Sequence, residues 1–277
     1  MPQLRRACDV SADLDAILTP AAPRILLFDL ERLPGEYTAD IWEPRDLKRV
    51  NYLHPDRWTI RPRTLCASWI WYGEKRPGFV GAWENPDDPY HVARTLRDVM
   101  HQADTWITFN GRAADLKWIR QDLAAGQIPT PRPVRDIDLY VAARTAFALE
   151  SKSLAYLSDF LGLPGKAGRY NAAEAKAAAL ADGPERRRLV RYSKQDSRMM
   201  VPVLDRMRPF LKHGPNLGIP YLDDELRCPV CGGSDLTRDG WATTDLTSFA
   251  AYQCACGAWS RSKHRRHSVR QRRVVGA

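Results

Sequence analysis

Apolar residues fall along this chain in short runs and helical stripes whose order defines an α/β domain. The segment PRILLFDLE, residues 23–31, is a continuous apolar run with proline before it and charge at its end. That is the pattern of a strand buried on both faces, and it predicts the first and central strand of a sheet. TLCASWIWYG (64–73) and RPGFVGAW (76–83) are aromatic and β-branched, and the turn-prone GEKRPG between them predicts a hairpin and an antiparallel meander. In DPYHVARTLRDVMHQAD, Val92, Leu96 and Val99 recur at helical spacing; TWITFNG then reads as a strand and RAADLKWIRQDLAA as an amphipathic helix. VRDIDLY supplies a last strand. SKSLAYLSDFLGL follows as a helix opened by a serine cap and closed near Gly162 and Pro164, and ERRRLVRYSKQDSRMMVPVLDRMRPFL as the final long helix. The alanine-rich NAAEAKAAALADGP is a good helix former and reads as a short surface helix.

Periodicity alone therefore gives an α/β domain at residues 23–213, preceded by an N-terminal extension (1–22) and followed by a linker at 214–221, where GPNLGIP stands. Two stretches remain, a cysteine-bearing module (222–260) and a basic tail (261–277). No run approaches the roughly 20 apolar residues of a membrane span, and the N-terminus lacks the apolar core of a secretion signal, so a soluble, cytoplasmic protein is expected.

Charge changes this picture mainly at the C-terminus. The net charge of +9 points only weakly to a polyanionic partner. In RSKHRRHSVRQRR, however, seven of thirteen residues are Arg or Lys with no acid among them, so this stretch reads either as an arm for phosphates, with Arg265 and Arg266 as contacts, or as a solvated tail. Four of the six cysteines lie in the same quarter, as CPVC and CAC, which without a secretion signal suggests metal rather than disulfides.

The candidate chemistry is a set of carboxylates. Asp29 and Glu31 are two apart in a strand, so both side chains leave one face. Taken alone, they could equally be solvated acids where the strand has ended. In TWITFNGRAAD a strand runs through an Asn-Gly turn into a helix whose first turn carries Asp115; an acid there is favoured by the helix dipole and needs no further role. Tyr192 and Asp196 are four apart on a helix and share a face, a spacing common by chance. Asp136 and Asp138, at a strand end, read as supporting acids rather than members of the set.

In conjunction these motifs carry more than they do singly. FDLE (28–31), TFNGRAADLKWI (108–119) and YSKQD (192–196) resemble, in order and placement, the three motifs of the DnaQ-like exonuclease superfamily in its DEDDy branch, over residues 23–212. The chain departs from many relatives in having Ala114, rather than an aromatic residue, before the second-motif aspartate. The resemblance implies a ribonuclease H-like mixed sheet flanked by helices. It also implies a 3′→5′ exonuclease releasing nucleoside 5′-monophosphates, with two Mg²⁺ or Mn²⁺ held by Asp29, Glu31, Asp115 and Asp196. Tyr192 would orient the attacking water, and Asn110 would contact nucleic acid. Hard divalent cations prefer oxygen donors, which suits four carboxylates.

The expected substrate is single-stranded DNA, with a polymerase or other replication protein as a possible partner. An RNA-trimming exonuclease, a related endonuclease and a non-catalytic binding protein are the alternatives. The long connection 35–62 interleaves Trp42, Arg45, Lys48, Arg49, Tyr52 and Trp58. It reads either as a stacking surface for a single strand, with Trp42 and Trp58 as contacts, or as a packed flap.

CPVCGG (228–233) and CACGAW (254–259) place paired thiols on two turns, the arrangement of a zinc ribbon with one structural Zn²⁺. The Cys-x-Cys second half leaves two ligand sets open. Either Cys228, Cys231, Cys254 and Cys256 bind together, or one of the last pair is replaced by His264 or His267. The module would hold nucleic acid or a protein partner.

Overall fold

The structure is a computed structural model that describes residues 23–43, 52, 54–151, 153–165, 171–211, 225–245 and 247–266. The expected N-terminal extension and linker, Arg45, Lys48, Arg49, His267 and the remainder of the tail lie outside the described residues. The chain divides into two compact units, one of them Arg24–Val203, the other containing the cysteine module; the division falls inside the last helix, where the sequence pattern places it at 213.

In Arg24–Val203, strand β1 (Ile25–Leu33) lies at the centre of a five-stranded mixed sheet. It continues through β2 (Glu36–Tyr37) and β3 (Trp58–Ile60), which pair with each other, to β4 (Arg63–Trp71) and β5 (Gly78–Gly81). β4 pairs antiparallel with β1, and β5 with β4. β6 (Thr105–Thr108) and β7 (Arg135–Asp138) extend the other side in parallel, giving the order β5-β4-β1-β6-β7. The antiparallel meander is the one read from the apolar runs, and β6 and β7 are the two later strands read there.

Leu26, Phe28 and Leu30 alternate onto one face of β1. They meet helix α1 (His91–His101) through Val92, Leu96 and Met100, and helix α2 (Asp115–Ala125) through Leu116, Ile119 and Leu123. This is the main core. Helix α3 (Leu139–Ala146) is capped by the Asp138 carboxylate, and helix α4 (Leu154–Phe160) by Ser153.

The other face of the sheet carries helices α5 (Ala172–Leu180) and α6 (Pro184–Met207). The alanine-rich α5 is more than a surface helix. Its Ala175 and Ala178 are buried against Leu33, Leu65, Cys66 and Leu189, because methyl-sized side chains let the backbone lie close to the strands. Its outer side is open, with Leu180 86% exposed.

The cysteine unit is a three-stranded antiparallel sheet of β8 (Leu236–Thr243), β9 (Ser248–Cys254) and β10 (Trp259–Arg265), with β9 in the middle. Arg261 to Arg265, expected as the start of the tail, are instead the body of the third strand. Their run of positive charge masks the strand pattern in the sequence, and pairing with β9 supplies the order. Among the described residues no helix is long and apolar enough to cross a membrane.

Candidate functional site

The apolar character of β1 ends on one face only. Leu27 is fully buried, but the next two residues on its side of the sheet are Asp29 and Glu31, both half-buried. Asp29 lies opposite Ser68 of β4 and Glu31 opposite Cys66, and the register shifts directly after Glu31. Such a bulge at a strand end redirects the side chains beside it.

Helix α6 brings in the third acid. One carboxylate oxygen from each of Asp29, Glu31 and Asp196 lies within 4.8 Å of the other two, and Asp196 is buried. Three ionised carboxylates this close repel by roughly 3 kcal/mol per pair at an effective dielectric near 20. A divalent cation removes that cost and matches the donors, which are hard oxygens without nitrogen or sulfur. Tyr192, four residues before Asp196, is half-buried on the same side of the helix.

The approach of α6 is set by serines that the sequence reading passed over. Ser68 Oγ donates to the Ser193 carbonyl at 2.7 Å and pairs with the Ser197 hydroxyl, and all three residues are fully buried. Ser193 and Ser197 flank Asp196 one helical turn apart, and Ser68 is the strand partner of Asp29. The contact therefore ties the helix acid to the strand acid. Its only sequence signal is a serine inside the apolar TLCASWIWY and a Ser-x-x-x-Ser spacing offset by one from Tyr-x-x-x-Asp.

Asp115 stands apart from the cluster of three. It is the first residue of α2, is buried, and its Oδ1 accepts the backbone N–H of Leu30, the residue between Asp29 and Glu31, at 3.1 Å. Burial pushes its carboxyl up to about 6, with the nearby charge of Asp138 adding to the rise against the backbone hydrogen bonds that oppose it. Ala114, next to it, is half-buried and gives α2 no side-chain cap.

The turn leading into α2 is built for close approach. Asn110 adopts φ +63°, and a Cβ on Gly111 would sit 2.3 Å from the Thr108 hydroxyl. Asp138 holds this turn, accepting Asn110 N at 2.8 Å and Arg112 N at 3.1 Å, while Asp136 pairs with the Arg112 guanidinium at 3.0 Å. Neither acid belongs to the cluster of three. Asn110 is thus a turn residue bonded through its backbone.

Of the loop aromatics, Trp42 is fully exposed, whereas Trp58 is half-buried with its ring 5.7 Å from that of Tyr37. Trp58 accordingly belongs to the small β2–β3 ribbon and Trp42 to the surface. Tyr52 is 72% exposed.

In the second unit, Cys228, Cys231, Cys254 and Cys256 bring their sulfurs within 4.8 Å of one another. Cys228 and Cys256 are 3.9 Å apart and Cys231 and Cys254 3.6 Å. Zinc–sulfur bonds of about 2.3 Å in a tetrahedron require sulfur separations of about 3.8 Å, so the four thiols fit Zn²⁺. Val230 N and Gly233 N each point at a sulfur, Cys228 and Cys231 respectively, at 3.4 Å. Gly232 and Gly257 take the left-handed conformations that let the two turns close. The Cys256 thiol is pushed up to about 12, first by burial and then by sharing hydrogen bonds with neighbouring thiols. The Cys-x-Cys half supplies both its sulfurs to this cluster, while His264 lies exposed on β10.

No family model and no curated protein matches this chain. Among solved structures, the family B DNA polymerase from the hyperthermophilic archaeon Pyrobaculum calidifontis is similar at 12% identity and a TM-score of 0.49, over 84% of this chain and 32% of the polymerase.

Proposed function

We propose that this chain is a metal-dependent 3′→5′ exonuclease with a ribonuclease H-like fold, acting on single-stranded DNA, and that its cysteine unit is a zinc ribbon. The observation that carries the reading is the convergence of Asp29, Glu31 and Asp196, from a central strand and a late helix, within 4.8 Å. Holding three carboxylates this close costs repulsion that a bound divalent cation would offset.

Asp29, Glu31, Asp196 and Asp115 would hold the two divalent ions. When bound, the ions supply activation of water and stabilisation of the charge that develops on the phosphoryl and leaving 3′ oxygens. The protein's own part is positional. Asp115 orders the backbone between Asp29 and Glu31 through Leu30, and Ser68 holds α6 so that Asp196 faces the strand. Tyr192 offers a hydroxyl to orient the attacking water. An ordinary phenol, with a pKa near 10, stays protonated at neutral pH and so has no basic form with which to take the proton.

The test is degradation of 5′-labelled single-stranded DNA and of the matching RNA with Mg²⁺, with Mn²⁺ and without either. A ladder of products shortened from the 3′ end, formed only with metal and faster on DNA, is the expected result. Internal cleavage would point to an endonuclease, faster loss of RNA would reverse the substrate, and an intact strand would remove the catalytic reading.

A further inference from the structure

The three-stranded sheet carries a second feature. Trp241 is 43% exposed on β8, and two guanidinium groups lie over its ring, Arg238 at 5.0 Å and Arg266 at 4.5 Å from the ring centroid. They arrive from different places in the chain, Arg238 across a bulge in the same strand and Arg266 from the end of β10, fixed by its backbone N–H to Ser248 O at 2.8 Å. The residue opposite Trp241 on the central strand is Ala250, too small to cover the indole. β8 to β10 and the residue that follows carry Arg238, Arg261, Lys263, Arg265 and Arg266 against Asp239 and Asp245.

The part of the indole that stays exposed offers a flat apolar surface beside two guanidiniums, which suits a partner that is both aromatic and anionic rather than a cationic or purely apolar one. Bases stack on an indole whatever their identity, and guanidiniums reach the phosphates on either side of the stacked base. We infer that Trp241, with Arg238 and Arg266, forms a stacking platform for single-stranded DNA on the zinc-bearing sheet, distinct from the carboxylate cluster. The choice of DNA rests on the function proposed above; the stack itself does not.

Binding without hydrolysis tests this separately from catalysis. Full-length protein is titrated, without added Mg²⁺ or Mn²⁺, against a fluorescein-labelled oligo(dT), its abasic counterpart of equal length and an oligo(rU), with bound zinc quantified for every variant. Trp241→Ala should weaken oligo(dT) binding by about tenfold and leave the abasic strand within about twofold, because only the former can stack. Trp241→Phe should keep most of the affinity, and Trp259→Ala, on the opposite face of the sheet, should keep all of it.

Arg238→Gln with Arg266→Gln should weaken both strands and flatten the salt dependence. A 5-iododeoxyuridine strand should crosslink wild-type protein at Trp241, a readout that stands even if a variant loses zinc. Unchanged oligo(dT) affinity in a zinc-loaded Trp241→Ala protein, or crosslinks confined to residues 24–203, would overturn the platform, and tighter binding of oligo(rU) would overturn the choice of DNA. Failure of the nuclease reading would show instead as intact strands in Mg²⁺ with this binding pattern preserved.

Discussion

The backbone N–H of Leu30 donates to Asp115 Oδ1 at 3.1 Å, so the acid on α2 braces the strand segment that carries Asp29 and Glu31. The bond also fixes a carboxyl in a buried place, and its pKa rises from the ordinary 3.8 to about 6, chiefly through burial. The raised value means that folding favours the protonated form. Asp115 therefore stabilises the fold fully below about 4, and that contribution is lost as pH rises through about 6, on the order of 3 kcal/mol in total.

Without added divalent ions, Asp115→Asn should gain on wild type in urea unfolding as pH goes from 5 to 8, by about half that amount, the other half being lost already below pH 5, while losing Mg²⁺-dependent hydrolysis. In wild type, Mg²⁺ binding should weaken as pH falls through about 6. A stability difference between the two proteins that is the same at both pH values would show that Asp115 is not the titrating group.

The serine contact between β4 and α6 predicts a split between small and large substitutions. Ser193→Ala keeps the volume and the backbone carbonyl that Ser68 bonds, and should leave turnover close to wild type. Ser193→Leu must push the helix outward, at about 1–3 kcal/mol in stability. A displacement of about 1 Å at the carboxylates should cut kcat by about a hundredfold, with a smaller change in KM. Equal activity in the two variants would mean that α6 is held by its other contacts.

The cysteine unit should hold one Zn²⁺ per chain through sulfur alone. His264→Ala should retain zinc, whereas Cys256→Ser should lose it and, with it, the sheet of β8 to β10, because so small a core does not fold without its metal. Zinc analysis and limited proteolysis of residues 225–266 check both. Zinc kept by Cys256→Ser and lost by His264→Ala would reverse the ligand assignment.

Much of this was legible in the residues. β1 announced itself as an apolar run, the two-residue spacing of Asp29 and Glu31 put them on one face, and the four-residue spacing of Tyr192 and Asp196 did the same on a helix. What the sequence hid belongs to tertiary packing. Ser68, Ser193 and Ser197 follow no hydrophobic period, and their meaning exists only once strand and helix touch. Ala175 and Ala178 look like generic helix formers until something buries them. Arg261 to Arg265 form a strand although their charge suggests a tail, because pairing with β9 outweighs composition. The perturbation of Asp115 comes from burial, which a first-turn aspartate does not reveal.

Tyr192 is proposed to orient water and to hold no metal. Tyr192→Phe should lower kcat by roughly a hundredfold at most, with KM and Mg²⁺ affinity unchanged. Loss of Mg²⁺ affinity along with turnover would give the hydroxyl a different role, and loss of folding would make Tyr192 a core residue.

The central claim is that the acids of β1 and α6 act together as a metal site for phosphodiester hydrolysis. It is tested most directly by the rate at which 5′-labelled single-stranded DNA is shortened in Mg²⁺, for wild type, Asp29→Ala and Asp196→Ala, with folding followed by circular dichroism. Wild type should shorten the strand stepwise from its 3′ end, and both variants should fall to the detection limit while remaining folded. A folded Asp29→Ala or Asp196→Ala protein that shortens the strand at the wild-type rate would contradict it.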